Sequence, residues 1–145
     1  MDFSVVFNKI KETNLISQDC DLVVCQDAPS ASTYFWFGAI GAAISESTRE
    51  KNYYALAFEH DTIYLFDIDI YVGAKTAKYL GTVIQIPFND IKKIGISTFI
   101  SKEINIITKQ KSSLRIMTSN KFMKVDQKES VKKIFDALKK RKKNN

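Results

Sequence analysis

Apolar residues recur along this chain with two different periods. Phe3, Val6, Phe7 and Ile10 are spaced by three and four, with Asn8, Lys9, Lys11 and Glu12 between them. That spacing predicts a short amphipathic helix over 3–13, whose apolar face must dock on something. Near the other end, Val131, Ile134, Phe135 and Leu138 form the same kind of stripe, while Lys132, Lys133, Asp136, Lys139 and Lys140 stay outside it. Asp126-Gln127-Lys128-Glu129 has the spacing of a helix N-cap followed three residues later by its Glu, so this second helix is predicted to begin there.

Between the helices the period falls to two. Leu22 to Gln26 is a brief extended run, broken by Asp27-Ala28-Pro29-Ser30. Tyr54, Leu56 and Phe58 alternate with Ala55 and Ala57, and Glu59-His60-Asp61-Thr62 turns the chain. Tyr64, Phe66, Ile68 and Ile70 then alternate with Leu65, Asp67 and Asp69, which predicts a hairpin. Gly73 to Lys78 reads as a loop. Val83 to Phe88 reads as a strand that ends near Pro87, a residue with no N–H to give a ladder. Further strands are predicted at Ile91 to Ile100, Glu103 to Lys109 and Ser113 to Thr118, joined by links short enough to imply antiparallel neighbours. The tally is seven strands followed by one helix.

One stretch follows neither period. From Ala31 to Ile44 the chain is apolar on nearly every side, which predicts a short buried helix or a helical hairpin bent near Gly38 or Gly41. The adjacent Phe35, Trp36 and Phe37 cannot all point into one core from a single helix face, so at least one needs another cover. The cover is the protein's own sheet and first helix, a second copy of the chain, or a membrane interface. Gly38-Ala39-Ile40-Gly41-Ala42 permits close backbone approach and favours association between helices.

Composition sets the bounds. The chain has 145 residues, 45% apolar and 12% aromatic, with 5 Gly and 2 Pro, which suits one globular domain and excludes collagen-like, linker-like and wholly disordered classes. The net charge of +6 is uneven: residues 1 to 60 carry −4 and the remainder +10. Its densest part is Lys139-Lys140-Arg141-Lys142-Lys143, read as a solvated helix end that assists attraction to anionic partners. Cys20 and Cys25 would lie about 16 Å apart on a strand at ~3.3 Å per residue, too far to bridge, and are read as reduced thiols. With His60 as the single histidine, no cluster has zinc spacing, and neither metal nor cofactor is expected. Met1-Asp2-Phe3-Ser4 lacks the basic lead of a secretory signal, so cytoplasmic residence is the expectation. The longest apolar run, Tyr34 to Ile44, is eleven residues, short of the ~20 needed to span a bilayer.

Seven antiparallel strands in a bent sheet or partly open barrel, capped by a C-terminal helix, is an order that resembles the pleckstrin-homology-like domains. More narrowly the chain is similar to small bacterial members of that family. The resemblance is carried by the N-terminal helix, the Gly/Ala-rich insertion ahead of the second strand, the hairpin Tyr53 to Phe66, and the step Ile86-Pro87-Phe88-Asn89-Asp90-Ile91. It divides the chain into an N-terminal helix and connector (1–19), the domain proper (20–140, insertion 31–47) and a basic tail (141–145). The resemblance implies binding rather than catalysis, to lipids, peptides or proteins, with some members forming homo-oligomers. Members that bind phosphoinositides carry Lys and Arg between the first two strands; here no Lys or Arg lies between Gln26 and Thr48.

The candidate binding surfaces are therefore two. The aromatic insertion comprises Tyr34, Phe35, Trp36, Phe37, Gly38 and Gly41, and a basic set comprises Lys75, Lys78, Lys139, Lys140 and Arg141. Asp67 and Asp69, two apart on one strand, read as solvated carboxylates rather than an acid/base pair. The reading is a non-enzymatic adaptor that self-associates or binds another protein. Its alternative is a peripheral binder of anionic membranes that uses the insertion and the basic tail. Nucleic-acid binding is the weaker reading, because no aromatic-basic RNA motif accompanies the lysines.

Overall fold

The structure, a computed structural model, describes residues 1–27, 52–71, 73–99 and 102–144. The first helix, α1, spans Ser4–Lys11. Seven strands follow: β1 (Val23–Asp27), β2 (Tyr53–Glu59), β3 (Thr62–Tyr71), β4 (Thr76–Pro87), β5 (Ile91–Ser97), β6 (Lys102–Thr108) and β7 (Ser113–Thr118). A small hairpin of β8 (Lys121–Phe122) and β9 (Val125–Asp126) leads into α2 (Lys128–Lys143). The large sheet is antiparallel throughout, in the order β4-β3-β2-β1-β7-β6-β5.

That order forces the sheet to curl. Six inter-strand steps of about 4.8 Å would put β4 and β5 roughly 29 Å apart in a flat sheet. The only chain between them is the 3-10 turn Phe88–Asp90, and four Cα steps from Pro87 to Ile91 reach at most about 15 Å. The two ends of the sheet therefore approach each other without pairing. The shell stays open, with a crevice of about 390 Å³ between Ile84 and Ile86 of β4 and Ile106 and Leu114 of β6 and β7.

The sheet buries both faces. On one, Val23, Cys25, Leu56, Ile63, Leu65, Ile104, Ile106 and Ile116 meet the α2 stripe of Val131, Ile134, Phe135 and Leu138. On the other, Val24, Ala55, Ala57, Tyr64, Phe66 and Ile68 meet Phe3 and, from α1, Val6 and Ile10, with Ile16 and Leu22. This explains the run Ile63-Tyr64-Leu65-Phe66, buried without a break: odd positions serve one core and even positions the other.

The elements follow local chemistry. His60 and Asp61 both have positive φ (54° and 55°), the two-residue turn whose twist suits a tight hairpin, and Met123 and Lys124 repeat it at 48° and 68°. The Asp126 carboxylate accepts the Lys128 N–H at 3.0 Å just ahead of α2, but the N-cap is Gln127, one residue later than the spacing of Asp126 and Glu129 predicts, and no side chain bonds to the cap. Lys140, Arg141, Lys142 and Lys143 fall in its last turn, where the helix dipole favours cations. The segment 141–145, expected as a tail, continues the helix as far as Lys143.

Other expectations shift at their edges. The loop expected over Gly73 to Lys78 is shorter, because β4 already begins at Thr76 and its Ala77 and Tyr79 pack on the outer core. The strand expected to reach Ile100 ends at Ser97. The β8–β9 hairpin has no counterpart in the alternation of the sequence, since two-residue strands are too short to show a period.

The seam between the two halves of the sheet is closed by a side chain. β7 pairs with β1 only at Gln26–Met117 and Asp27–Ile116, so Val24 has no ladder partner on that side. Gln127 replaces one: its amide oxygen accepts the Val24 N–H at 2.9 Å and its amide nitrogen donates to the Val24 carbonyl at 3.0 Å. Thr118 Oγ1 also donates to that carbonyl at 2.6 Å and is itself 3.0 Å from the Gln127 nitrogen. Removing the amide leaves a buried N–H unpaired, at a cost of about 1–3 kcal/mol. Gln127→Ala is thus expected to lower the unfolding free energy in urea by about 2 kcal/mol; a variant as stable as the wild type contradicts the role.

Candidate functional site

The sites expected from sequence separate in space. Tyr34, Phe35, Trp36, Phe37, Gly38 and Gly41 lie outside the described residues. Lys75 sits in the β3–β4 turn with φ 54°, and Lys78 stands opposite Asp69 near the start of β4. Lys139, Lys140 and Arg141 lie on α2, whose C-terminal part rests on the β2–β3 turn through Arg141 and Asp61. Those two turns are the opposite ends of the ten-residue strand β3, about 30 Å apart at ~3.3 Å per residue. The two parts of the basic set do not form one surface.

Arg141 belongs to the fold. Its guanidinium donates to both Asp61 carboxylate oxygens, Nε at 2.6 Å and Nη2 at 3.1 Å, and lies 4.5 Å above the Phe88 ring. A two-pronged ion pair with a cation–π contact ties the helix end to the β2–β3 turn and to the corner between β4 and β5. Lys140 is exposed.

Lys139 faces a cleft instead. α2 and the residues flanking the β5–β6 and β7–β8 connections enclose about 260 Å³, with Val131 and Phe135 at the base and Lys102, Lys128, Lys132 and Lys139 around it. Lys102 Nζ donates to the Thr98 carbonyl at 3.0 Å, and Lys139 Nζ lies 3.3 Å from Thr98 Oγ1. Two ammonium groups from distant parts of the chain thus converge on one residue. Lys132 pairs with Asp136 at 3.2 Å, the one carboxylate in the lining. Phe99, next to Thr98, is 91% exposed. Lys128, Lys132 and Lys139 share a side of α2 by their spacing of four and seven; that much was visible in sequence, but Thr98, Lys102 and Asn120 join them only through tertiary structure.

The remaining chemistry serves structure. Asp67 accepts a hydrogen bond from Thr82, and Tyr71 donates to Asp69, so the two carboxylates answer different neighbours beside the irregular pairing between Phe66 and Ile68. Glu59 accepts the Ser17 N–H at 3.0 Å and hydroxyl at 2.9 Å, clamping the α1–β1 connector to β2. Burial acts to raise the Glu59 carboxyl, yet bonds from Cys20 and Ser17 and the nearby His60 bring it below the ordinary range. Both cysteines are free thiols. Among the described residues, no three His, Cys, Asp or Glu side chains gather as metal ligands, and no helix is long and apolar enough to cross a membrane.

No protein-family model, curated protein or solved structure matches this chain.

Half-buried Cys20 and buried Cys25 and Tyr54 fix a pH response. Burial, then Glu59, pushes the Cys20 thiol up to about 12; burial, then Asp27, pushes Cys25 up; burial, then Asp27 and Asp67, pushes the Tyr54 hydroxyl up. Each group holds its proton more tightly folded than unfolded, so its contribution is complete below its ordinary value, 9.0 for the thiols and 10.0 for the tyrosine, and is lost as pH rises above it. The urea midpoint is expected to fall steadily from pH 9 to pH 11, measured by circular dichroism. A midpoint constant over that window contradicts the burial of these groups.

Proposed function

We propose that the chain is a non-enzymatic binding module of the bacterial pleckstrin-homology-like kind, an adaptor that works through protein–protein contacts and associates with itself. The observation that supports this reading is the open shell. Among the described residues β4 pairs along one side only, with β3, and it carries Leu80 and Ile84, which are 52% and 38% exposed. A twelve-residue edge strand with apolar side chains and one lysine lacks the charges by which sheet edges discourage pairing. A second copy of that strand, or an extended segment of another protein, adds to it by main-chain hydrogen bonds. The aromatic insertion at 31–47 lies outside the described residues; in the sequence it stands before the second strand, as in the family the chain resembles.

The order of strands also supports the family reading. Seven antiparallel strands in an open, curled sheet with a C-terminal helix are what the resemblance implies, and such a fold serves binding at its rims rather than a single chemistry. Peripheral binding to anionic membranes is the competing function.

Light scattering after size exclusion tests the proposal. The wild type is expected to run as a dimer or larger species that dissociates on dilution, and Leu80→Lys with Ile84→Lys to run as a monomer of unchanged secondary structure. A monomeric wild type at every concentration contradicts self-association. Salt-sensitive pelleting with anionic vesicles by a monomeric protein establishes the competing function instead.

A further inference from the structure

Among the described residues, the cleft between α2 and the pair Thr98 and Lys102 is lined by an excess of positive charge. Lys102, Lys128, Lys132 and Lys139 line about 260 Å³, where the one carboxylate among the described residues, Asp136, already pairs with Lys132. Like charges held together weaken the folded state, and the α2 residues that seal the core are Val131, Ile134, Phe135 and Leu138 rather than the lysines. Arg141 shows the contrast, because its charge is spent on Asp61.

We propose that this cleft binds an organic phosphate monoester, a function independent of self-association through β4. The phosphoryl dianion sits between the Lys102 and Lys139 ammonium groups. Both are already drawn in by Thr98, one by its carbonyl and one by its hydroxyl oxygen, so little side-chain entropy is lost when the anion arrives. The Thr98 hydroxyl proton and the Asn120 side-chain amide are additional donors within the lining. Lys128 and Lys132 neutralise the charge from the helix side. The lining has an apolar part, Val131 and Phe135, and Phe99, which follows Thr98 in the chain, is exposed. Those surfaces suit the carbon body of an ester rather than a bare ion. The site stands at the α2 end of the shell, away from Lys75 and Lys78 at the β3–β4 turn.

The test is an NMR titration of the full chain with phenyl phosphate, inorganic phosphate and, at matched ionic strength, sodium chloride. Phenyl phosphate is expected to move the amides of Thr98, Lys102, Asn120 and Lys128 to Lys139, saturably and at lower concentration than inorganic phosphate. Lys102→Gln with Lys139→Gln is expected to weaken it at least tenfold, whereas Lys75→Gln with Lys140→Gln leaves it unchanged. Shifts no larger than those from sodium chloride, or equal binding by the Lys102/Lys139 variant, overturn the proposal. A second arm separates the sources of the ester: pelleting with phosphatidic acid vesicles that Phe99→Ser and the double variant both abolish assigns it to a lipid headgroup, and soluble binding without pelleting assigns it to a free metabolite.

Discussion

The fold depends on how one short strand is satisfied. β1 lies at the centre of the sheet, and Val23, Val24 and Cys25 are each 0% exposed, so every main-chain polar group there must find a partner inside the protein. β2 supplies partners along one side. On the other side β7 diverges after two residue pairs, and the Gln127 amide takes its place by offering an acceptor and a donor in the positions that a strand would use. The same residue precedes the first turn of α2. The residue that closes the seam is therefore also the N-cap of the plugging helix, and sheet curvature and helix placement meet at one position.

From that constraint the two cores follow. Once α2 starts beside Val24, its stripe lies on the face holding Val23 and Cys25, and the opposite face, with Val24, must be covered by something else. α1 and the segment through Ile16 and Leu22 provide the cover, and Ser17 on Glu59 holds that segment to β2. At the far end of α2, Arg141 on Asp61 and Phe88 secures the corner where the sheet turns back on itself. Polar contacts at three places hold an assembly whose stabilisation comes mainly from burying apolar area on both faces.

Much of this was legible in the residues because period and burial coincide. The stripe of Val131, Ile134, Phe135 and Leu138 has one solution, and all four are buried. The Glu59 to Thr62 turn and the end of β4 at Pro87 were equally plain, since a tight hairpin and a residue without N–H leave few alternatives. The start of β4 was hidden by Gly73, Ala74 and Lys75, turn residues that run into strand residues of low apolar content. The candidate site was less legible. Lys139 reads as charge on the outside of a helix, and nothing near it in sequence announces Thr98 or Lys102, which arrive from 41 and 37 positions away. Arg141 looked like its lysine neighbours, but a planar guanidinium within reach of Asp61 and Phe88 has a different fate from a solvated ammonium.

The most direct test of the central claim is native-state hydrogen exchange at the Val24 amide. If Gln127 closes the seam, that N–H exchanges only through global unfolding, at the rate of the slowest amides in β2 and β3, and Gln127→Ala speeds it far more than it speeds theirs. A Val24 amide that exchanges in the wild type as fast as those of the edge strand β4 would show that the seam is open, and the account of the curled sheet would fail.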